Sequence, residues 1–193
     1  MLKTHIYNLI LILFITAPKL VFSQESAKSI KANFLLEGGI EYGGDEILEV
    51  TFTDGDSQTV LAGQGGYVAV GGEFSLPSIK AVSLRASIGY KYNTTAAENA
   101  NITLTRIPIN IIPYWHLNKD IRLGIGITTH QFIQFEGDGF VPDIDFESSF
   151  GPRIELAYKF IALTYTQIDY RIPSISSVSA GSVGISVSYV FNK

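Results

Sequence analysis

The chain has 193 residues, no cysteine and a formal net charge of −4. This length suits one domain, and the lack of cysteine excludes both disulfide stabilisation and a lipid-anchored lipoprotein. A mildly acidic chain lacks the basic surface that nucleic-acid binding requires, so we exclude nucleic acid as a partner.

Residues 1–23 have the order of a secretory signal peptide. Lys3 and His5 precede the apolar stretch 6–17, and Val21 and Ser23 fit the small-residue positions before a cleavage site. The apolar run is shorter than the ~20 residues that a membrane-spanning helix needs. We therefore expect a Sec-type signal peptide cleaved after Ser23, a short periplasmic segment at 24–30 and a mature domain at 31–193.

Eight segments of the mature domain alternate between apolar and polar residues, with the period of two that is typical of a β-strand. Their apolar faces run, in chain order, from Phe34 to Tyr42, Val68 to Leu76, Val82 to Tyr92, Ile107 to Trp115, Ile121 to Ile127, Phe150 to Phe160, Ile161 to Tyr165 and Val183 to Phe191. Short connections near 77–79, 117–119 and 159–160 alternate with long polar ones at 43–65, 93–99, 136–145 and 172–180. The pattern predicts an all-β fold, an eight-stranded antiparallel up-and-down transmembrane β-barrel with both ends in the periplasm.

The first long connection has an alternation of its own. Leu48, Val50 and Phe52 share one parity, and a turn signal follows at Asp54-Gly55-Asp56. This pattern predicts a hairpin that projects beyond the membrane.

The polar face decides between a membrane barrel and a secreted soluble barrel, because alternation alone fits both. That face is rich in glycine, alanine and serine, as expected where a narrow lumen leaves little room. The aromatic residues of the apolar face fall at the two ends of the strands, with aliphatic residues between them, which matches two membrane interfaces. We therefore expect the apolar face to contact lipid.

Charged residues of both signs share the inward parity, where unpaired charges would be costly. They are Glu37, Glu41, Glu73, Arg85, Lys91, Arg106, Arg122, Arg153 and Glu155. One interpretation is a narrow path for ions. We favour a paired, structural charge network, because side chains fill the interior of an eight-stranded barrel.

The last strand carries the clearest motif. Ser182, Gly184, Val187, Tyr189 and Phe191 give a polar residue, a glycine, two spaced hydrophobic residues and a final aromatic residue. In this pattern the chain resembles the small outer-membrane β-barrel family with OmpA-type and OmpX-type barrels, whose last strand is the assembly signal. The resemblance implies a Gram-negative outer membrane, with its lipids, lipopolysaccharide and insertion machinery as partners. Because members include adhesins, structural proteins, small pores and lipid-modifying enzymes, it does not fix the function.

No motif predicts catalysis or a cofactor. His130 has the inward parity and lacks the serine two residues on that a lipid A deacylase-like site would need, so a rim or lumen histidine in a hydrogen-bond network is the simpler interpretation. The acidic loops at 54–56 and 136–147 could meet divalent cations, but they lack the spacing of a calcium loop. We predict a non-enzymatic barrel with an envelope-structural role or a surface or peptide ligand met by its loops; the alternatives are a narrow pore and a lipid A-modifying enzyme.

Overall fold

The computed structural model describes residues 29–51, 55, 57–94, 101–147, 149–172 and 176–191. The predicted signal peptide lies outside this part of the chain, as do Phe52, Asp54 and Asp56 of the first long connection. Eight long strands are β1 (Lys31–Tyr42), β4 (Gly65–Leu76), β5 (Ile79–Thr94), β6 (Thr103–His116), β7 (Ile121–Glu136), β9 (Ser149–Tyr158), β10 (Ile161–Thr166) and β13 (Ser182–Phe191). Five short strands are β2 (Glu46–Thr51), β3 (Ser57–Leu61), β8 (Ile144–Phe146), β11 (Asp169–Ile172) and β12 (Ser176–Ser179).

The eight long strands form a closed antiparallel barrel. They pair in the ring order β1, β4, β5, β6, β7, β9, β10 and β13, and β13 pairs with β1 to complete the ring. Leu36 faces Tyr189 across this closing pair, and Ile40 faces Ile185. The strand pairing confirms the predicted architecture, with one local difference: Phe160, predicted to end the sixth strand, lies in the turn after β9.

The two faces of the barrel wall are distributed as the alternation predicts. Apolar side chains on the outside are widely exposed, including Ile40 at 69% and Ile185 at 53%. Charged side chains on the inside are buried, including Arg106 at 0% and Glu155 at 1%. Such a wall would expose much apolar surface to water, at a cost of about 25 cal/mol for each Å². The wall therefore suits a lipid environment.

A second, apolar core covers the end of the barrel opposite the short turns. The β2–β3 and β11–β12 hairpins and β8 pack there with the upper ends of β6 and β7. We call this region the cap, and its buried residues are Val60, Ala62, Ile102, Leu104, Ile133, Phe135, Phe146, Ile168, Tyr170 and Ala180. The β2–β3 hairpin forms as predicted, but it packs on the cap core through Val60 instead of standing free.

Backbone hydrogen bonds and close backbone contacts hold the cap against the barrel mouth, which is the end of the barrel opposite the short turns. Asp45 N donates to Ser179 O at 2.7 Å, and Gly63 N donates to Gly43 O at 3.0 Å. At Gly44, φ is +87°, and a Cβ atom there would lie 2.6 Å from Gly63 N. Because only glycine avoids both the strained φ and this clash, Gly44 lets the chain turn from β1 across the mouth.

Strand β7 contains a β-bulge close to the cap. Thr105 pairs with Gln134 while Ile107 pairs with Gln131, so β7 has an extra residue opposite Arg106. Phe132, in this bulge, has φ +49° and points outward. An extra residue reverses the alternation of the strand. His130 below the bulge is therefore buried in the lumen, and Phe135 above it is buried in the cap.

Candidate functional site

The lumen centres on Arg153, whose guanidinium contacts several acceptors at once. Nε donates to Glu155 Oε1 at 2.6 Å and Nη1 donates to Glu41 Oε1 at 2.6 Å. Nη1 also reaches Thr166 Oγ1, and Nη2 lies 3.1 Å from the Tyr67 hydroxyl. Two ion pairs and these neutral contacts offset the cost of burying a charge that is 3% exposed.

The carboxylate of Glu41 joins this centre to the upper lumen. Its second oxygen accepts a hydrogen bond from Lys91 Nζ and one from Ser182 Oγ. Lys91 Nζ also donates to Gly63 O at 2.6 Å, the carbonyl of a residue that leads from β3 into β4. The network therefore holds the chain that crosses the barrel mouth as well as the barrel wall.

Two inward-facing tyrosines complete the network, and the sequence analysis did not single them out. Tyr67 donates to Glu37 Oε1 at 2.7 Å, and Tyr114 donates to Glu155 Oε2. Both lie on the inward parity of their strands, so parity was the signal that could have found them. Each hydroxyl satisfies a buried carboxylate oxygen without adding a charge.

A further ion pair, separate from the network around Arg153 and Glu41, lies towards the short-turn end of the lumen. Arg85 Nε donates to Glu73 Oε2 at 2.7 Å, and its Nη1 donates to Ser188 Oγ at 3.0 Å. The guanidiniums of Arg85 and Arg122 lie 4.9 Å and 5.5 Å from the ring centre of Tyr114. Arg122 is half-buried and donates to Lys159 O at 2.7 Å, in the turn between β9 and β10.

Arg106 and Arg122 differ from the other predicted lumen cations. The Nη atoms of Arg106 donate to the carbonyl oxygens of Leu104 and Gln64. Among the residues that the structure describes, no carboxylate forms a salt bridge with either arginine. Acids and bases of the lumen thus pair only in part, and backbone carbonyls accept hydrogen bonds from both of the remaining cations.

The lumen is closed at the level of this network. The space between Glu41, Tyr67, Lys91, His130 and Arg153 offers about 0 Å³ to a water-sized sphere. The cap core lies above it, with Leu104 fully buried. Side chains therefore leave no room for water at the level of the network, as expected for eight strands.

His130 belongs to the junction between lumen and cap. Its Nδ1 forms a 2.5 Å hydrogen bond with the Tyr170 hydroxyl, and its side chain is 2% exposed. Burial in the cap raises the pKa of Tyr170 to about 12, so this hydroxyl keeps its proton at neutral pH. His130 does not reach the outer wall, where a lipid substrate would lie.

The acidic loop at 136–147 lies on the outside of the cap, whereas Asp54 and Asp56 of the other acidic loop lie outside the described residues. Asp143 accepts from Gly137 N at 2.8 Å and stabilises the turn between them, whereas Asp138 accepts from Asn101 N at 2.7 Å and links this loop to the start of β6. Within the described ranges, no three His, Cys, Asp or Glu side chains are grouped as metal ligands.

The two ends of the barrel carry opposite charge. Among the described residues, the exposed ionisable side chains of the cap are nine acids and one base: Asp45, Glu46, Glu49, Glu136, Asp138, Asp143, Asp145, Glu147 and Asp169 against Arg171. At the other end, four lysines are exposed: Lys31, Lys80, Lys119 and Lys159. We call these four the lysine rim.

The motif of the last strand has its own packing. Ser182 is buried in the lumen, whereas Val187, Tyr189 and Phe191 are exposed on the outer wall. The rings of Tyr189 and Phe191 lie 4.7 Å apart, and Phe34 lies 5.5 Å from Phe191. A Cβ atom at Gly184 would lie 2.5 Å from Glu41 Cγ, so this glycine makes room for the lumen network.

Comparisons with known proteins add little to this description. The part of the chain that the structure describes contains no helix long and apolar enough to cross a membrane. No protein-family model matches the sequence. A search of curated proteins also finds no match.

Three solved structures are similar to the chain over most of their length. The attachment invasion locus protein Ail of Yersinia pestis, solved with the heparin analogue sucrose octasulfate, is 8% identical and has a TM-score of 0.42; the match covers 82% of this chain and 97% of Ail. Neisserial surface protein A is 10% identical, with a TM-score of 0.44 and coverage of 83% and 99%. The N-terminal β-barrel domain of Pseudomonas aeruginosa OprF is 9% identical, with a TM-score of 0.34 and coverage of 83% and 100%. At such low scores, the strand pairing and register of the chain itself establish that it is a closed eight-stranded antiparallel β-barrel.

Proposed function

We propose that the protein is a non-enzymatic, non-conducting outer-membrane barrel that acts through its cap at the cell surface. The observation that carries this proposal is the closed interior, in which a charge network and an apolar core fill the barrel. An apolar outer wall supports a position in a membrane, because lipid removes the cost of exposing it to water. Short turns on the periplasmic side and longer loops outside are the usual orientation of such barrels.

The structural role of the lumen charges supports the proposal against a pore. Arg153, Glu41 and Glu155 share their hydrogen bonds with one another, so moving any of them leaves a buried charge unpaired. Groups held in this way do not exchange partners with a passing ion at low cost.

The charge of the cap restricts the chemistry of a surface partner. In the described part of the cap, nine exposed acids against one base repel polyanions and attract a cationic protein or peptide in a salt-dependent manner. A heparin-like ligand, as bound by Ail, therefore suits this surface poorly.

Planar lipid bilayers test the closed interior. We expect no unitary conductance from the refolded barrel in symmetric salt, since the space between Glu41, Lys91 and Arg153 has no room for a water molecule. Leu104→Asp places a charge in the cap core and is expected to disturb the cap. This variant is the positive control, in which conductance would show that an open barrel can be detected. Regular single-channel steps from the unaltered protein would contradict the proposal.

We further propose that Ser182, Gly184, Val187, Tyr189 and Phe191 form the assembly signal for the outer-membrane insertion machinery. Replacing Tyr189 and Phe191 together by serine is expected to reduce the folded, heat-modifiable form in the outer-membrane fraction by about tenfold or more, as a loss of ~1.4 kcal/mol in recognition would. Val183→Ser, on the same face at the other end of the strand, is the control and should assemble almost normally. Equal loss in both variants would indicate a general packing effect.

A further inference from the structure

The lysine rim is a surface that the proposed function leaves unused. The topology places its four residues at one end: Lys31 begins β1, Lys80 follows the turn between β4 and β5, and Lys119 and Lys159 lie in the next two short turns. Backbone pairing joins two of these turns, because Lys159 N donates to Asp120 O at 2.7 Å. The rim is therefore held on the rigid end of the barrel.

The residues that the structure describes do not neutralise the lysines of the rim. No described salt bridge includes any of them, and all four side chains are exposed. Near them, the described acids are the half-buried Asp120 and Glu73, and Glu73 is paired with Arg85 inside the lumen. The rim thus has a net positive charge available to an external partner.

Aromatic residues set the depth of the rim in a membrane. Trp115, Tyr158, Phe160 and Phe191 are exposed on the outer wall just inside the rim. Aromatic side chains of this kind settle at the level of lipid headgroups. Lys159 Nζ lies 5.2 Å from the ring centre of Tyr158, which places at least one rim cation beside these aromatic residues.

From this geometry we infer that the lysine rim binds the phosphate headgroups of anionic phospholipids in the leaflet that surrounds it. The inference rests on the proposed membrane location. Lysine ends directed into a headgroup layer meet phosphate oxygens, while their aliphatic stems remain against the apolar wall. Each lysine near an anionic surface favours association by about fivefold.

The opposite end of the barrel supports this inference, because the acidic cap cannot bind anionic headgroups as the lysine rim can. Anionic lipid is therefore bound selectively at one end of the molecule. This charge difference also favours the orientation in which the cap faces outward and the rim meets the inner leaflet of the outer membrane.

The single tryptophan of the chain provides the probe. Trp115 pairs with Val82, two residues after Lys80, and lies four residues before Lys119. Refolded protein would be placed in vesicles of three parts phosphatidylcholine to one part phosphatidylglycerol. Two samples would be compared, one with brominated acyl chains on phosphatidylglycerol and one with brominated acyl chains on phosphatidylcholine. The mole fraction of brominated lipid, which quenches tryptophan fluorescence, would be the same in both.

We expect brominated phosphatidylglycerol to quench the fluorescence of Trp115 at least about twofold more strongly than brominated phosphatidylcholine does. The preference should disappear when Lys31, Lys80, Lys119 and Lys159 are all replaced by glutamine, and also in about 1 M NaCl, where the Debye length is ~3 Å. Arg171→Gln is the matched control, because it removes an exposed cation from the cap and leaves the rim unchanged. This variant should keep the preference for phosphatidylglycerol. Heat-modifiable migration would confirm that each variant is folded.

The remaining outcomes separate the two proposals. Equal quenching by both brominated lipids would overturn the lipid-binding inference and leave the membrane location intact. A preference that survives when all four rim lysines are replaced by glutamine would also overturn it, since the rim would not be its source. Quenching by neither lipid would overturn the membrane location and the inference together.

Discussion

Replacing Arg153 by methionine is expected to lower the free energy of unfolding by about 3–5 kcal/mol. The substitution keeps the volume of the side chain but removes the cation between Glu41 and Glu155. Both carboxylates are buried, so the loss leaves negative charge in the lumen with fewer hydrogen-bond donors. Urea titration of the refolded barrel in detergent micelles, followed by loss of the heat-modifiable form on gels, measures the change.

Arg122→Met is the matched control for this prediction. Arg122 also faces the lumen, but it is half-buried, and its described hydrogen bonds go to Lys159 O and Ser188 Oγ. We expect its loss to cost about 0.5–1.5 kcal/mol, the usual range for a hydrogen bond. Equal destabilisation by the two substitutions would show that the salt bridges at the centre of the network are not what stabilises the barrel.

Combining Arg153→Met with Glu155→Gln should recover part of the lost stability. Glu41 keeps its ion pair with Lys91 in both variants, whereas Arg153 is the cation that pairs with Glu155. A neutral amide is less costly to bury than an unpaired carboxylate. If the double variant is less stable than Arg153→Met alone, the hydrogen bond from the Tyr114 hydroxyl stabilises the Glu155 carboxylate without Arg153.

The barrel could be predicted from the sequence because lipid and lumen impose a strict period of two on every strand. Ile40 and Ile185 face outward and Glu155 faces inward on the same rule, which holds wherever a strand runs without a bulge. The eight strands and their short turns follow from local pattern alone. Strand order then follows from short antiparallel connections.

The cap could not be predicted in the same way, because it depends on an irregularity and on distant contacts. The bulge at Phe132 reverses the parity of β7, so the sequence pattern does not show that Phe135 points inward. Val60 and Tyr170 reach the same core from hairpins more than a hundred residues apart. A local pattern has no information about such packing.

The lumen residues were predicted individually, but their partners were not. Parity placed Arg106 and Arg153 in the interior, yet it could not distinguish a cation bound to carboxylates from one bound to backbone carbonyls. That difference depends on the level of each residue along the barrel axis and on which loop crosses above it. Gln64, whose carbonyl accepts from Arg106, belongs to such a crossing segment.

Replacing Phe135 by alanine is expected to destabilise the cap by about 3–5 kcal/mol, the cost of removing a buried phenylalanine side chain. Phe135 is 2% exposed and packs in the cap core, whereas the strand pairs that close the barrel lie below it. The cap should therefore open locally while the barrel stays closed. Limited proteolysis of the refolded protein would cleave the loops faster, and the protected barrel fragment would keep its heat-modifiable migration.

Phe132→Ala is the matched control, because it removes the same side chain three positions away on the same strand. Phe132 is 73% exposed and lies outside the cap core, so its loss should leave the rate of loop cleavage almost unchanged. Faster cleavage in both variants would mean that aromatic contacts with the surroundings, and not the buried core, hold the cap in place. Complete loss of the heat-modifiable form in Phe135→Ala would mean that cap and barrel unfold as one unit, so that the closed mouth is a condition for the barrel itself.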